Sequence, residues 1–234
     1  VDCSARMVIV PDPALKWDQA GVPIPVLVEL LRDELIAWTK DELNYGEIAN
    51  KIIAVIELIG KPEESTLLNK SEKIDIEAAF DCLQGWTWEK GEKGKRVLEL
   101  FYNLLVKFLD ANKDLVVILN RQPSLHRDSM QSFYPVPLDP DKNNVLHLCP
   151  LVCKGFGADF DGDEMALHLP ISPEAREEAK RLLPTENMLS LATGIPLAHF
   201  DQDFVLGTYW LGLESSGMRG EFLSIFINNC CKAI

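Results

Sequence analysis

The 234-residue sequence lacks the features that mark membrane proteins and exported proteins. No stretch approaches the roughly 18 consecutive apolar residues that a transmembrane helix requires. Residues 1–6, VDCSAR, do not form the basic start of a signal peptide. We therefore expect no membrane partner. Because the sequence has no initiator methionine, we also expect a piece excised from a longer polypeptide.

The sequence also lacks an excess of basic residues over acidic ones. The chain has 23 Lys and Arg residues against 36 Asp and Glu residues, which gives a net charge of −13. A protein that binds nucleic acid on its own usually presents a basic face, because contacts with phosphates supply most of the affinity. Either the charges are sorted locally along the chain, or other chains supply the basic surface.

Cysteine is scarce for a disulfide-stabilised protein of this length. The sequence has six cysteines, too few for a disulfide scaffold. Cys149 and Cys153 are too isolated to form a zinc site, which needs four ligands. Together with Cys3 and Cys82 they are interpreted as buried thiols in a reducing compartment, which predicts a cytoplasmic location.

The spacing of apolar residues changes along the chain from a pattern typical of strands to one typical of helices, and then back. Residues 7–10, MVIV, predict a strand, and from about residue 25 to residue 110 apolar residues recur at helical spacing. Two apolar stripes stand out there and are expected to face the core: Ile48, Ile52, Val55 or Ile56, and Ile59 in one, and Val97, Phe101, Leu104 and Phe108 in the other. The run at residues 115–119, LVVIL, predicts a strand buried on both faces. Further elements are expected as strands at residues 132–138, 145–148 and 165–169, and as helices after Ser172 and at residues 201–213.

This order of elements predicts an α+β chain in three parts. The first strand is expected to join the later strands across the helical insert, so residues 1–24 and 112–171 form one β unit. Residues 25–111 are the helical insertion, and residues 172–234 are a C-terminal helical segment.

Residues 157–163, GADFDGD, carry the strongest chemical signal, and we call them the aspartate loop. Asp159, Asp161 and Asp163 alternate, so an extended backbone would point their carboxylates to one side. Gly162 allows the loop to curl. Ionised carboxylates this close repel one another, and the loop has no Lys or Arg to offset that repulsion. Mg²⁺ takes oxygen ligands and keeps positions open for water or phosphates, so the loop predicts a Mg²⁺ site.

Two other interpretations of the aspartate loop are weaker. A calcium-binding EF-hand loop requires Gly at position six and Glu at position twelve. Counted from Asp159, these positions hold Glu164 and Pro170, so the EF-hand interpretation fails. A solvated acidic turn is the second alternative, but the loop lies within apolar sequence that includes Phe160 and Met165.

A second segment with chemical potential follows the predicted strand at residues 115–119. Residues 119–127, LNRQPSLHR, carry two guanidinium groups and an imidazole. An Arg at a strand end, such as Arg121, is suited to bind a ribose or a phosphate. A single histidine such as His126 is more often a structural residue than a ligand.

Together these segments resemble the catalytic core of the largest, beta-prime-type subunit of multi-subunit DNA-directed RNA polymerases. The family's run N-A-D-F-D-G-D stands here as GADFDGD, and residues 120–126, NRQPSLH, match the family's second motif. Shorter matches frame most of the chain outside residues 36–114 and lie at residues 2–9, 12–13, 18–23, 146–153, 185–190 and 202–207.

The resemblance implies a double-psi β-barrel with a helical insertion before the second motif. It implies that Asp159, Asp161 and Asp163 hold the catalytic Mg²⁺, and that a second Mg²⁺ arrives with the nucleoside triphosphate. Arg121 matches the residue that contacts the incoming ribose. Arg6 matches a position near the nucleic acid.

The resemblance also implies partners and a location. The second-largest, beta-type subunit would supply basic residues to the same site, alongside other polymerase subunits, the DNA template, the RNA product and NTP substrates. The acidic net charge fits this division, so we expect the isolated chain to be inactive. The location would be intracellular, and nucleoid-associated in a bacterium.

The sequence departs from the family at one position of the aspartate loop and mixes features of different lineages. Gly157 stands where the family has an Asn that helps to read the ribose 2′-hydroxyl, so sugar selection is expected to differ or to depend more on Arg121. Residues 4–6, residues 120–126 and Glu164 are similar to archaeal and eukaryotic members, whereas residues 146–153 are similar to bacterial members. The sequence therefore assigns no single lineage, and a divergent bacterial or viral enzyme is compatible with this mixture.

Two alternative functions stay open at this stage. An RNA-dependent RNA polymerase would share the aspartate loop, but such enzymes resemble this chain mainly there and not in residues 120–126. A non-catalytic barrel module is the second alternative. It would not need to retain all of Asp159, Asp161 and Asp163, which are present.

Overall fold

Six strands close into a barrel in the computed structural model, which describes residues 4–59, 75–89, 91–141, 144–190, 193–197, 205–207 and 209. The strands are, in chain order, β1 Ser4–Pro11, β2 Gln19–Val22, β3 Val117–Arg121, β4 Met130–Pro137, β5 Leu146–Leu148 and β6 Glu164–His168. Around the barrel their order is β1-β5-β2-β4-β3-β6. The α+β prediction is confirmed, and the closed barrel is consistent with the expected double-psi β-barrel.

Strand pairing in the barrel is mixed. The pairs β1–β5 and β2–β4 are parallel, and the other four pairs are antiparallel. Side chains that alternate along the strands fill the interior, as closure requires. The most deeply buried apolar ones, each no more than 1% exposed, are Ile9, Ala20, Val22, Val117, Leu119, Phe133, Leu146, Leu148, Met165 and Leu167.

Helices lie between β2 and β3, where the sequence predicts an insertion. Their bounds are α1 Ile24–Leu30, α2 Arg32–Lys40, α3 Glu42–Ile59, α4 Ile76–Gln84 and α5 Glu92–Ala111. The predicted apolar stripe of α3 is buried, as Ile48 and Ile52 show, and so is that of α5. Phe80 of α4 packs edge-on against Phe101 of α5, with 5.5 Å between the ring centroids. Trp38 of α2 packs in the same way against Phe108 of α5, at 5.8 Å, so aromatic contacts join α2 and α4 to α5.

One continuous hydrophobic core joins the barrel to these helices. Buried side chains of β1, β4 and β6 belong to the same cluster as those of α1 to α5. The helices therefore brace the barrel, and they cannot be removed without exposing its core. The domain boundaries expected from the sequence stay a prediction.

The segment after β6 packs against the outside of the barrel. Helix α7, Pro173–Lys180, begins as predicted, because the Ser172 side chain accepts a hydrogen bond from the Ala175 N–H at 3.1 Å. Ser132 of β4 donates through its backbone N–H to the Leu182 carbonyl at 3.1 Å and through its hydroxyl to the Ala179 carbonyl. These bonds attach the segment to β4.

The observed strands differ from the predicted ones by up to three residues at their ends, and the sequence predicts no strand at β2. The strand expected at residues 115–119 is observed as β3, Val117–Arg121, because its pairing with β6 extends to Arg121 and Met165. Leu115 and Val116 are buried but lie outside the strand. Most of the helix expected at residues 201–213 lies outside the described residues. Among the helices that the structure describes, none is long and apolar enough to cross a membrane.

Gly21 of β2 is predicted to be a position where even one methyl group is too large. A Cβ atom there would lie 2.6 Å from Leu138 Cδ2 and 2.9 Å from His147 Cβ. We expect Gly21→Ala to lower the free energy of unfolding by about 1–3 kcal/mol, because overpacking forces neighbours to move. Denaturant unfolding followed by circular dichroism measures this change.

Gly46→Ala is the matched control for that substitution. Gly46 lies in α3, and a Cβ atom there would meet nothing within 4 Å. Because Ala favours a helix over Gly by about 1 kcal/mol, this variant should be at least as stable as the unmodified protein. Equal stability of the two Ala variants would contradict the close packing at Gly21.

Candidate metal centre

The aspartate loop connects helix α6, Cys153–Phe156, to strand β6. Phe156 stacks against Phe133 of the barrel, with 6.0 Å between the ring centroids, which fixes the start of the loop. Gly157 ends α6 in the left-handed conformation, with φ 61° and ψ 34°. Gly162 has φ 124°, which confirms the prediction that it allows the loop to curl.

The far end of the loop is tied to the barrel. The backbone N–H of Ile9 in β1 donates to the carbonyl of Asp163 at 3.0 Å. Ala158 and Phe160 pack partly buried against the hydrophobic core. The loop is therefore anchored at both ends and along its apolar side, and only its polar side is left for a ligand.

The carboxylates of Asp159, Asp161 and Asp163, which we call the aspartate cluster, converge. One oxygen from each residue lies within 4.8 Å of the others. Asp159 and Asp161 are exposed, whereas Asp163 is half-buried. A set of three carboxylate oxygens with an open side suits a hard, octahedral cation such as Mg²⁺. The donor chemistry thus fits the predicted ion, and the assignment stays a proposal.

Arg121, the last residue of β3, reaches the aspartate cluster. Its Nε donates to Asp163 Oδ2 at 2.8 Å, and the backbone N–H of Asp159 donates to the same oxygen at 3.2 Å. The two side chains of the ion pair are 25% and 22% exposed, so water screens the pair only in part. The sequence does not predict this contact, because it depends on β3 pairing with β6.

The pKa values of Asp163 and Asp159 are shifted in opposite directions within the cluster. The hydrogen bond from Arg121 lowers the pKa of Asp163 and raises that of the guanidinium. The pKa of Asp159 is raised, first by its hydrogen bond with Asp161, and then by desolvation and by the negative charges of Asp161 and Asp163. The repulsion expected from the sequence therefore remains at the exposed side of the cluster.

Arg6, the residue predicted to lie near nucleic acid, has a partner that the sequence does not predict. Its Nε donates to Glu164 Oε2 at 2.7 Å across the β1–β6 pair. The two side chains are 61% and 45% exposed, so the pair contributes about 1 kcal/mol or less to stability. Glu164 directly follows the aspartate loop, so the pair lies beside the candidate site.

The segment after Arg121 remains open to solvent. Ser124 Oγ donates to Asn120 Oδ1 at 2.6 Å, which holds the turn that follows β3. His126 is exposed, and its Nδ1 lies 3.5 Å from Ser129 Oγ. Leu125 is 82% exposed. Among residues 119–127, Arg121 is the one whose side chain bonds to the aspartate cluster.

No disulfide joins the described cysteines. Cys149 is buried, and Cys82 and Cys153 are half-buried. Burial, together with the negative charges of Cys149, Asp159 and Asp163, raises the pKa of the Cys153 thiol to about 12. The prediction of buried thiols is confirmed for Cys149 and is wrong for Cys82 and Cys153, which keep partial exposure, whereas Cys3 lies outside the described residues.

Comparisons with known proteins identify the family of the chain. The family model described as RNA polymerase Rpb1, domain 2, matches residues 1–185. The chain belongs to this family. It is also 36% identical over 222 residues to the DNA-directed RNA polymerase subunit beta' of Fusobacterium nucleatum, covering 94% of this chain and 13% of that subunit.

Other curated relatives of this Rpb1 domain 2 chain show the same coverage. The subunits beta' of Lactobacillus helveticus and Pediococcus acidilactici are 37% and 34% identical to it, over 94% of the chain. The chain spans 14% and 17% of the length of those two subunits. It therefore corresponds to a small part of each relative.

The Cys153 thiol beside the aspartate loop is predicted to be unreactive. At pH 8 a thiol with a pKa of about 12 is almost fully protonated, and only the thiolate reacts with alkylating agents. We expect iodoacetamide to modify Cys153 at least about tenfold more slowly in the native protein than in urea, where its pKa returns to about 8.5. Peptide mapping by mass spectrometry measures both rates, and equal rates would contradict the burial of this thiol.

Proposed function

We propose that this chain is the catalytic-core portion of the largest subunit of a DNA-directed RNA polymerase. It would hold the Mg²⁺ for template-directed transfer of nucleotides from NTPs to the RNA 3′ end. The observation that carries the proposal is the convergence of the aspartate cluster within 4.8 Å in a chain of the Rpb1 domain 2 family.

The residues of the site would act mainly by positioning and by electrostatics. Asp159, Asp161 and Asp163 would hold the ion through oxygen atoms. When bound, Mg²⁺ supplies Lewis-acid chemistry that lowers the pKa of the RNA 3′-hydroxyl and offsets charge on the α-phosphate. Arg121 would contact the ribose of the incoming nucleotide through the terminal nitrogens of its guanidinium. Arg6 would lie near the nucleic acid.

The proposed site is half of a composite site. A transferring phosphoryl group carries negative charge that basic residues stabilise. In the described residues, the one cation hydrogen-bonded to the aspartate cluster is Arg121. The second-largest, beta-type subunit would supply further basic residues, and the DNA template, the RNA product and the NTP would bind between the two. The net charge of −13 supports this division.

Replacement of Asp161 by Asn tests the proposed function in the assembled polymerase that contains this chain. Asn retains the shape of the side chain but removes one of the charges that would hold the ion. We expect Mg²⁺-dependent RNA synthesis on a DNA template to fall by about a hundredfold or more. Primer-extension assays across a Mg²⁺ titration measure this loss.

Asp33→Asn is the matched control, because Asp33 is a 95%-exposed aspartate of α2. Its activity should equal that of the unmodified assembly. Unchanged activity of the Asp161→Asn assembly would favour a non-catalytic barrel. Activity on RNA templates in place of DNA would favour an RNA-dependent polymerase. RNA synthesis by the isolated chain would contradict the composite site.

Gly157→Asn tests the predicted origin of sugar selection. Asn tolerates the left-handed conformation of Gly157 better than most residues, and a Cβ atom there would meet nothing within 4 Å. An added amide that bonds the 2′-hydroxyl should raise the NTP-over-dNTP ratio of kcat/KM by about five- to tenfold. Single-nucleotide addition kinetics measure this ratio.

Gly157→Ala is the control for that experiment. Ala has no amide to bond the hydroxyl, and it is strained at a φ of 61°. It should therefore leave the sugar ratio unchanged. If Gly157→Asn also leaves the ratio unchanged, position 157 does not read the sugar in this protein.

A further inference from the structure

We infer that Arg121 is a positioning residue for the metal centre, in addition to its proposed contact with the nucleotide. It would fix the rotation of the Asp163 carboxylate so that one oxygen is presented to the ion. The inference rests on the proposed function, because it takes Asp163 to be a metal ligand.

The hydrogen bonds at Asp163 define the rotation of its carboxylate. Arg121 Nε–H and the Asp159 backbone N–H both donate to Oδ2, at 2.8 and 3.2 Å. No N–H donor among the described residues bonds Oδ1 of this carboxylate. A carboxylate with one oxygen engaged by two donors presents the other oxygen as the free ligand. Hydrogen-bonded ligands of this kind are typical of metal centres.

Arg121 has enough N–H donors to bond Asp163 and a nucleotide at the same time. A guanidinium has five N–H donors in a planar fork. Asp163 takes the Nε–H, and the terminal nitrogens of Arg121 make no hydrogen bond to any other described residue. These terminal nitrogens remain available to a nucleotide. One rigid side chain would therefore link the position of a metal ligand to the position of the substrate.

The positive charge of Arg121 opposes this role because it repels a bound cation. Whether repulsion or ligand orientation is larger decides whether removal of Arg121 strengthens or weakens Mg²⁺ binding. A cation beside the site weakens the attraction of the aspartate cluster for a second cation. However, the charge of Arg121 is already paired with Asp163, and the pair is partly exposed, so solvent screens its field. Loss of a hydrogen bond that orients a metal ligand costs about 10- to 100-fold in metal affinity. We therefore expect orientation to outweigh repulsion.

The test measures metal affinity in the assembled polymerase that contains this chain, with no nucleotide present. Fe²⁺ with a thiol reductant and oxygen generates hydroxyl radicals that cut the backbone near the bound metal, and Mg²⁺ competes for the site. The Mg²⁺ concentration that halves cleavage at the aspartate loop gives the apparent affinity. We expect Arg121→Leu to raise this concentration about 10- to 100-fold. Arg121→Lys should have a smaller effect, because its ammonium can still donate to Oδ2.

Arg127→Leu is the matched control, because it removes the same charge from an exposed residue six positions later whose side chain makes no hydrogen bond or ion pair with a described residue. Its apparent Mg²⁺ affinity should change by less than about threefold. Unchanged or tighter Mg²⁺ binding in Arg121→Leu would overturn the inference and leave the proposed function intact. Equal losses in Arg121→Leu and Arg127→Leu would also overturn it. Absence of loop cleavage in the unmodified assembly would overturn both.

Discussion

Repulsion among three carboxylates is the constraint on which the rest of the site depends. The aspartate cluster holds its oxygens within 4.8 Å. The pKa of Asp159 is raised first by its hydrogen bond with Asp161, and then by desolvation and by the negative charges of Asp161 and Asp163. A loop with free ends would relax by spreading these charges apart. Here the loop cannot spread, because Gly157 caps a helix at one end and Asp163 is bonded to β1 at the other.

The closed barrel supplies the rigidity that this loop needs. Strand β6, which follows the loop, lies between β1 and β3, and both neighbours send a side chain or a backbone group back to the loop. β1 contributes the N–H of Ile9, and β3 contributes Arg121. Because a closed barrel has no free edge, no strand can slip without breaking two ladders of hydrogen bonds. The helices share the barrel's core and stiffen it further.

The features that depend on local sequence were predictable, and those that depend on strand register were not. The alternating aspartates, the special conformation of Gly162 and the apolar stripes of α3 and α5 follow from short-range spacing. The bond between Arg121 and Asp163 joins residues 42 positions apart. It exists because Arg121 is paired with Met165, two residues beyond Asp163. Predicting a strand at residues 115–119 does not say which residues of another strand it pairs with, so the contact could not be predicted.

The pattern of pairing explains why this chain leaves its own acidic cluster only partly neutralised. If arginines or lysines were bonded to all three aspartates, they would occupy the oxygens that a metal ion needs. The one arginine bonded to the cluster among the described residues meets Asp163, the half-buried aspartate, where an unpaired charge is hardest to solvate. Asp159 and Asp161 stay exposed, and no Arg or Lys among the described residues is hydrogen-bonded to them. The remaining negative charge lies at the exposed side of the cluster, where the proposed cation would bind.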